Sequence, residues 1–139
     1  MRSPTLYLQA LLLASCASAQ PGSEEFNQCT GARTQAAWNA CESAGFSEAE
    51  RRLATLYHSY SKRLQGEQRE NFERAQAAWV RYRELACSFE SSGVAGGSAY
   101  PAVFSACMRE KTRRRLSELE RLASCEEGDL SCPSVATKE

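Results

Sequence analysis

Seven cysteines stand in this chain of 139 residues, and six of them lie beyond the first twenty residues. That even set constrains the fold more than any other feature, because a small exported domain with paired cysteines is a disulfide scaffold. Proximity in sequence suggests Cys29 with Cys41, Cys87 with Cys107 and Cys125 with Cys132. Closing a loop of about 20 residues, as between Cys87 and Cys107, is worth about 3 kcal/mol, mainly by restricting the unfolded chain. Oxidised sulfur offers neither a nucleophile nor a metal ligand, so the cysteines read as structural.

The seventh, Cys16, belongs to the leader. Arg2 precedes a short apolar run from Leu6 to Ala14, interrupted by Gln9 and followed by small residues. This is the layout of a signal peptide, and the run falls well short of the roughly 20 residues that a membrane-spanning helix needs. Two processing readings stand side by side. Ala17-Ser18-Ala19 is an A-x-A cleavage site, making residues 1–19 the signal peptide of a soluble protein. Leu13-Ala14-Ser15-Cys16 reads equally as a lipobox, which would limit the signal to residues 1–15 and leave Cys16 lipidated. Residues 20–28 follow as a linker, 29–123 as the folded domain and 124–139 as a tail. The expected destination is the periplasm or cell envelope, with membrane attachment only through a lipid on Cys16.

Charge removes several function classes. Lys and Arg number 17, as do Asp and Glu, so the chain lacks the basic excess of a nucleic-acid binder. Removing a leader that contains Arg2 tips the balance to acidic by one charge. The run Arg113-Arg114-Arg115 fans around a helix rather than forming one patch, and Glu110, Glu118 and Glu120 lie at pairing distance along the chain. His58, the single histidine, follows Tyr57 and points away from the apolar stripe, with no Ser or Asp partner arranged around it. No phosphate-cradling loop, zinc spacing or nucleophile motif is present. The chain reads as a non-enzyme with no cofactor and no metal site.

Helical periodicity runs through the whole domain, without sustained alternation of β-branched residues. Four helices are expected. The first spans 34–43, with Ala37, Trp38 and Cys41 on one side, and stops at Gly45 in a left-handed C-terminal position. The second opens at Ser47, whose spacing to Glu50 is a capping box. It carries the stripe Leu53, Leu56, Tyr57, Tyr60 and Leu64 and ends at Gly66. A short turn there returns the third helix, 67–89, antiparallel, with Phe72, Ala75, Trp79, Tyr82 and Ala86 buried and Arg69, Arg74, Arg81 and Arg83 wet. After the glycine-rich stretch Ser91–Ser98, Tyr100-Pro101 restarts a helix that runs to about Ala123, with Ser98 as its cap. The fold class is therefore all-α, a small disulfide-stapled antiparallel bundle of three to four helices.

Taken together, Ala75-Gln76-Ala77-Ala78-Trp79-Val80-Arg81-Tyr82-Arg83, Cys87, Gly96-Gly97-Ser98, Cys107, Thr112, Arg115 and Leu119 resemble the LprI-like family of bacterial lysozyme inhibitors. The resemblance covers Cys29 to Leu122. Within it Ala77 stands where a basic residue is common, Glu50 where Asp is frequent and Ala54 where Asn is usual. It implies an exported helical domain that acts by protein contact, with a lysozyme as partner, and it marks Gln76, Trp79, Tyr82, Arg83, Gly96, Gly97, Thr112 and Arg115 as the family motif. Arg115, at the family's Arg position, is expected to support the core through an internal salt bridge, and Arg83 either binds a partner or pairs within the bundle.

A lysozyme cleft holds two carboxylates of separated pKa, so an inhibitor must bring donors on a segment that fits a groove. The loop from Gly93 to Tyr100, with Ser98 and Tyr100 as donors, is the expected partner-binding element, since a pre-organised loop loses less entropy on binding. A non-enzymatic adaptor or structural (lipo)protein of the cell envelope is the alternative reading.

Overall fold

Gly45 does not end a helix. The computed structural model describes residues 29–126, 128–130 and 132–133, and in it the first two expected helices are one, α1 (Gln35–Ser61). Thr34 caps its start by accepting a hydrogen bond from the Ala37 N–H at 3.1 Å. Ser47 lies inside the helix, where its hydroxyl donates to the Ser43 carbonyl at 3.0 Å, so the expected capping box with Glu50 does not form. The reason is on the buried face. Glu42, Ala49, Leu53 and Tyr60 are all buried, and their spacing continues one stripe across the glycine. An ideal Cβ on Gly45 would come within 2.9 Å of the Arg109 side chain. Glycine is required here by close approach rather than by a turn.

After α1, Leu64 is buried in a tight turn, and α2 (Gly66–Glu90) begins at a glycine in the left-handed region, φ +51°. Gly66 thus starts the next helix instead of closing the previous one. A 3₁₀ turn at Ser92–Val94 leads to α3 (Tyr100–Ala123), with proline in its first turn. The capping position of α3 is Ala99, without a side-chain cap bond, so Ser98 does not cap it. Arg63 donates to the Ala123 carbonyl and Asn39 to the Ser98 carbonyl, which sets α1 and α3 side by side in the same direction. The residues of α2 that meet α1 run in reverse order, Glu73 against Ser61 and Arg83 against Glu50, so α2 is antiparallel to both. The three-helix all-α bundle agrees with the sequence reading in class, and no strand occurs among the described residues.

Cys29–Cys41, Cys87–Cys107 and Cys125–Cys132 are bonded, with Cα separations of 5.6 to 5.8 Å. They tie the N-terminal turn to α1, α2 to α3, and the start of the tail to itself. The signal-peptide, Cys16 and linker readings lie outside the described residues, as do residues 134–139 of the tail. No described helix is long and apolar enough to cross a membrane.

Leu53, Leu116 and Leu119 form the apolar centre, with Leu56, Tyr57, Phe72, Trp79 and Leu122 packed around it. Burying such side chains supplies the main driving force for so small a domain. On the wet side of α1, hydrogen bonds from Arg51 hold the Glu48 carboxyl below its ordinary range, an exposed pair that adds little to stability. His58 is exposed too, its ring edge-on to Tyr57 at 5.2 Å.

Tyr60 is 1% exposed, and its hydroxyl has no hydrogen-bond partner among the described residues. Burial pushes its phenol above the ordinary value. Tyr60→Phe should therefore stabilise the fold by about 1 kcal/mol at pH 7 by removing an unsatisfied buried group. The alkaline arm has a definite sign. Above about pH 10 the unfolded chain loses this proton before the folded one does, so wild-type stability falls as pH rises, and the variant should lack that slope. Urea midpoints at neutral and alkaline pH check both arms, and a destabilisation above about 1 kcal/mol at pH 7 would refute the unpartnered hydroxyl.

Candidate functional site

The buried face of α2 is turned away from the one its apolar residues suggest. Gln76, Arg83 and Cys87 face inward, Phe72 and Trp79 are half-buried at the core edge, and Ala75 and Tyr82 are exposed. The expected burial of Ala75 and Tyr82, and the expected exposure of Arg83, are thus both corrected. Polar side chains take the interior because the neighbouring helices bring groups that satisfy them.

Arg83 is 3% exposed. One guanidinium nitrogen donates to the Glu50 carboxylate of α1 and, at 2.8 Å, to the Thr112 hydroxyl of α3. Thr112, fully buried, passes its own proton to the Met108 carbonyl at 2.7 Å. The guanidinium lies 4.9 Å from the Trp79 ring centroid and 5.3 Å from that of Phe46, distances at which a cation is attracted to the ring face. Arg115, its guanidinium 5.9 Å from the Trp79 centroid, donates to the side-chain Oε1 of Gln76 at 3.1 Å and pairs with Glu118 at 2.8 Å. The ion pair of Arg115 is with a half-exposed residue of its own helix, and its link to the bundle interior is the hydrogen bond to Gln76. The motif residues Gln76, Trp79, Arg83, Thr112 and Arg115 therefore form one network that locks three helices in register. Held inside in this way, Arg83 is not available to bind a partner.

A second buried pair lies nearer the N-terminal end of α1. Glu42 and Arg109 meet at 2.8 Å with side chains 7% and 8% exposed. The Trp38 indole donates to Glu42 at 3.3 Å, and Arg109 also approaches the Cys29 sulfur at 3.9 Å.

Of the remaining motif residues, Tyr82 lies on the exposed side of α2, and Gly96 and Gly97 lie in the exposed loop between α2 and α3. Beginning at the Cys87–Cys107 bridge, Ser91 donates both its N–H and its hydroxyl to the Cys87 carbonyl. Val94, Ala95, Gly97 and Tyr100 then each donate an N–H three residues back, a chain of successive turns. Gly96 takes φ +76°, which a side chain would strain. Gly97 passes so close to the Val94 carbonyl that an added Cβ would lie 3.2 Å from it. Asn39 of α1, itself held by Gln35 at 2.9 Å, donates to the Ser98 carbonyl at 3.1 Å. The result is an ordered loop whose residues from Ser92 to Ser98 face solvent. Tyr100 is half-buried and stacked on Phe104 at 5.7 Å.

The family model described as "Lysozyme inhibitor LprI" matches residues 26–119. The chain belongs to the LprI family of lysozyme inhibitors. Among curated proteins it is similar to "Uncharacterized protein R02472" of Rhizobium meliloti (strain 1021), 28% identical over 127 residues, covering 81% of this chain and 91% of that relative. No solved structure matches. Family members are described as inhibitors rather than enzymes, and the three disulfides fit an extracytoplasmic protein. Among the described residues, no group of three or more His, Cys, Asp or Glu is placed to hold a metal ion.

Several partners in this LprI-family framework were not foreseen. Glu42, Arg109, Asn39 and Phe46 carry no motif of their own, and their roles arise only when α1 meets α2, α3 and the loop. Glu50 did carry a signal, its position in the family pattern where an acidic residue recurs, but the local S-x-x-E spacing pointed to a cap instead.

Proposed function

We propose that this protein is an exported inhibitor that blocks a peptidoglycan-cleaving glycosidase by protein contact, using the loop from Gly93 to Tyr100. Family membership supports the inhibitor class, and the observation that carries the choice of element is the loop's construction. It is anchored at both ends, turned by consecutive hydrogen bonds, clamped by Asn39, and still open to solvent. A segment ordered before binding avoids most of the conformational cost of docking. Ser98 is an exposed donor near its α3 end, and Tyr100 supplies a ring stacked on Phe104. Donors of this kind suit a cleft that contains a carboxylate and a protonated carboxylic acid. Near-neutral net charge leaves affinity to short-range fit rather than long-range steering.

The test is lysozyme turnover with the purified mature protein against chicken-type, goose-type and invertebrate-type enzymes. Dose-dependent inhibition of one type is expected. Ser98→Ala with Tyr100→Ala should weaken it at least tenfold, about 1.4 kcal/mol or more, with the thermal midpoint confirming an intact fold. Undiminished inhibition by that variant would refute the loop assignment. Inhibition of none of the three at high excess would refute the inhibitor reading and favour the envelope adaptor.

A further inference from the structure

The outer face of α2 carries an apolar stripe that no element of the bundle covers. Ala75, Ala78, Tyr82, Leu85 and Phe89 are all exposed and follow one another at alternating three- and four-residue steps, so they lie along one side of the helix for about 21 Å. Tyr82, Leu85 and Phe89 are 59%, 63% and 79% exposed. At about 200 Å² per large side chain they present roughly 400 Å² of apolar surface, as much as the largest patch on a typical monomer. The Tyr82 ring is held in place by the Lys111 ammonium 5.7 Å from its centroid.

We propose that this stripe is a self-association face, on which a second copy of the chain packs its own α2 antiparallel about a two-fold axis at Tyr82. The order of side-chain sizes favours that occupant. With the axis at Tyr82, that ring meets its twin, and on either side Ala75 lies opposite Phe89 of the second copy and Ala78 within one residue of its Leu85, so the large residues flanking the axis face small ones. A two-fold contact is self-complementary by construction, and this stripe meets that condition without any change of sequence. Once the leader is removed, the chain's own remaining segments do not match it. Residues 20–28 contain one large apolar residue, Phe26, and residues 134–139 contain only Val135, neither enough to cover four helical turns. Two copies of the patch, with the stems of flanking side chains, bury about 1,000 Å² in total, the lower bound for a specific contact. A contact of that size belongs with weak, transient associations.

Sedimentation of the mature protein alone, from about 1 to 500 µM, tests this without any lysozyme. A monomer–dimer equilibrium in that range is expected, and Leu85→Glu should raise its Kd at least tenfold while leaving the thermal midpoint of the dilute protein unchanged. The geometry has its own readout by oxidative cross-linking, since the six cysteines among the described residues are paired. Tyr82→Cys should cross-link to its twin, and Ala78→Cys should cross-link to Leu85→Cys in a mixture but not to itself. A monomer at every concentration, a dimer indifferent to Leu85→Glu, or self-cross-linking of Ala78→Cys would each overturn the proposal. So would protection of this face only on addition of a lysozyme, which would assign it to that partner.

Discussion

Glu50→Ala should cost about 3 to 5 kcal/mol of folding free energy, more than replacing Arg83, the residue it neutralises, by Met. The asymmetry follows from where the two charges sit. The Arg83 side chain is 4% exposed, whereas that of Glu50 is 44% exposed. Removing Glu50 leaves a guanidinium buried against Trp79 and Phe46 with Thr112 as its remaining partner, and an uncompensated buried charge is the expensive outcome of breaking such a pair. The guanidinium is also one bond short already, because its Nε has no acceptor among the described residues. Arg83→Met removes the buried charge and fills most of the space, while water takes up the freed Glu50 carboxylate. Thr112 keeps its bond to Met108. That variant should lose only about 1 to 2 kcal/mol. In the double variant the cost should stay close to that of Arg83→Met, since the stranded charge is gone. Urea denaturation of the four proteins closes the cycle. If Arg83→Met proves the more costly single change, Arg83 acts through packing and not as a charge that Glu50 must hold.

The same residues show how far the sequence alone reaches. Helix content, the bonded cysteine pairs and the core positions Leu53, Tyr60, Leu116 and Leu119 follow from period and spacing, because local geometry and apolar burial decide them. The rotation of α2 does not follow. Its apolar residues point to one face, yet Arg83 and Gln76 lie on the buried one, because Glu50, Thr112 and Arg115 arrive from other helices to satisfy them. A local pattern contains nothing about partners 29 to 39 residues away. The apolar residues left outside, Tyr82, Leu85 and Phe89, are the counterpart of the same rotation and form the proposed contact face. The loop was legible because its signals are local, glycines at turns and a bridge beneath them. The clamp by Asn39 was not, since it depends on α1 passing alongside.

Gly45→Ala should destabilise the protein by about 1 to 3 kcal/mol, although alanine in a helix interior ordinarily gains about 1 kcal/mol over glycine. The gain in propensity is opposed by position. The new methyl would sit 2.9 Å from two atoms of the Arg109 side chain, and that side chain cannot swing aside without leaving its buried partner Glu42. Strain in the interior or a broken ion pair then follows, and each costs more than the propensity returns. Arg109→Met alone should cost about 3 to 5 kcal/mol, because it strands the Glu42 carboxylate inside with only the Trp38 indole as donor. In that background the obstacle to a methyl at position 45 is smaller and more pliable, so Gly45→Ala should change sign and stabilise by about 0.5 to 1 kcal/mol. A sign reversal between the two backgrounds, read from denaturation midpoints, is the signature of a glycine required by close approach. Stabilisation by Gly45→Ala in the otherwise unchanged protein would make Gly45 an ordinary helix-interior glycine and leave the continuity of α1 to its buried stripe alone.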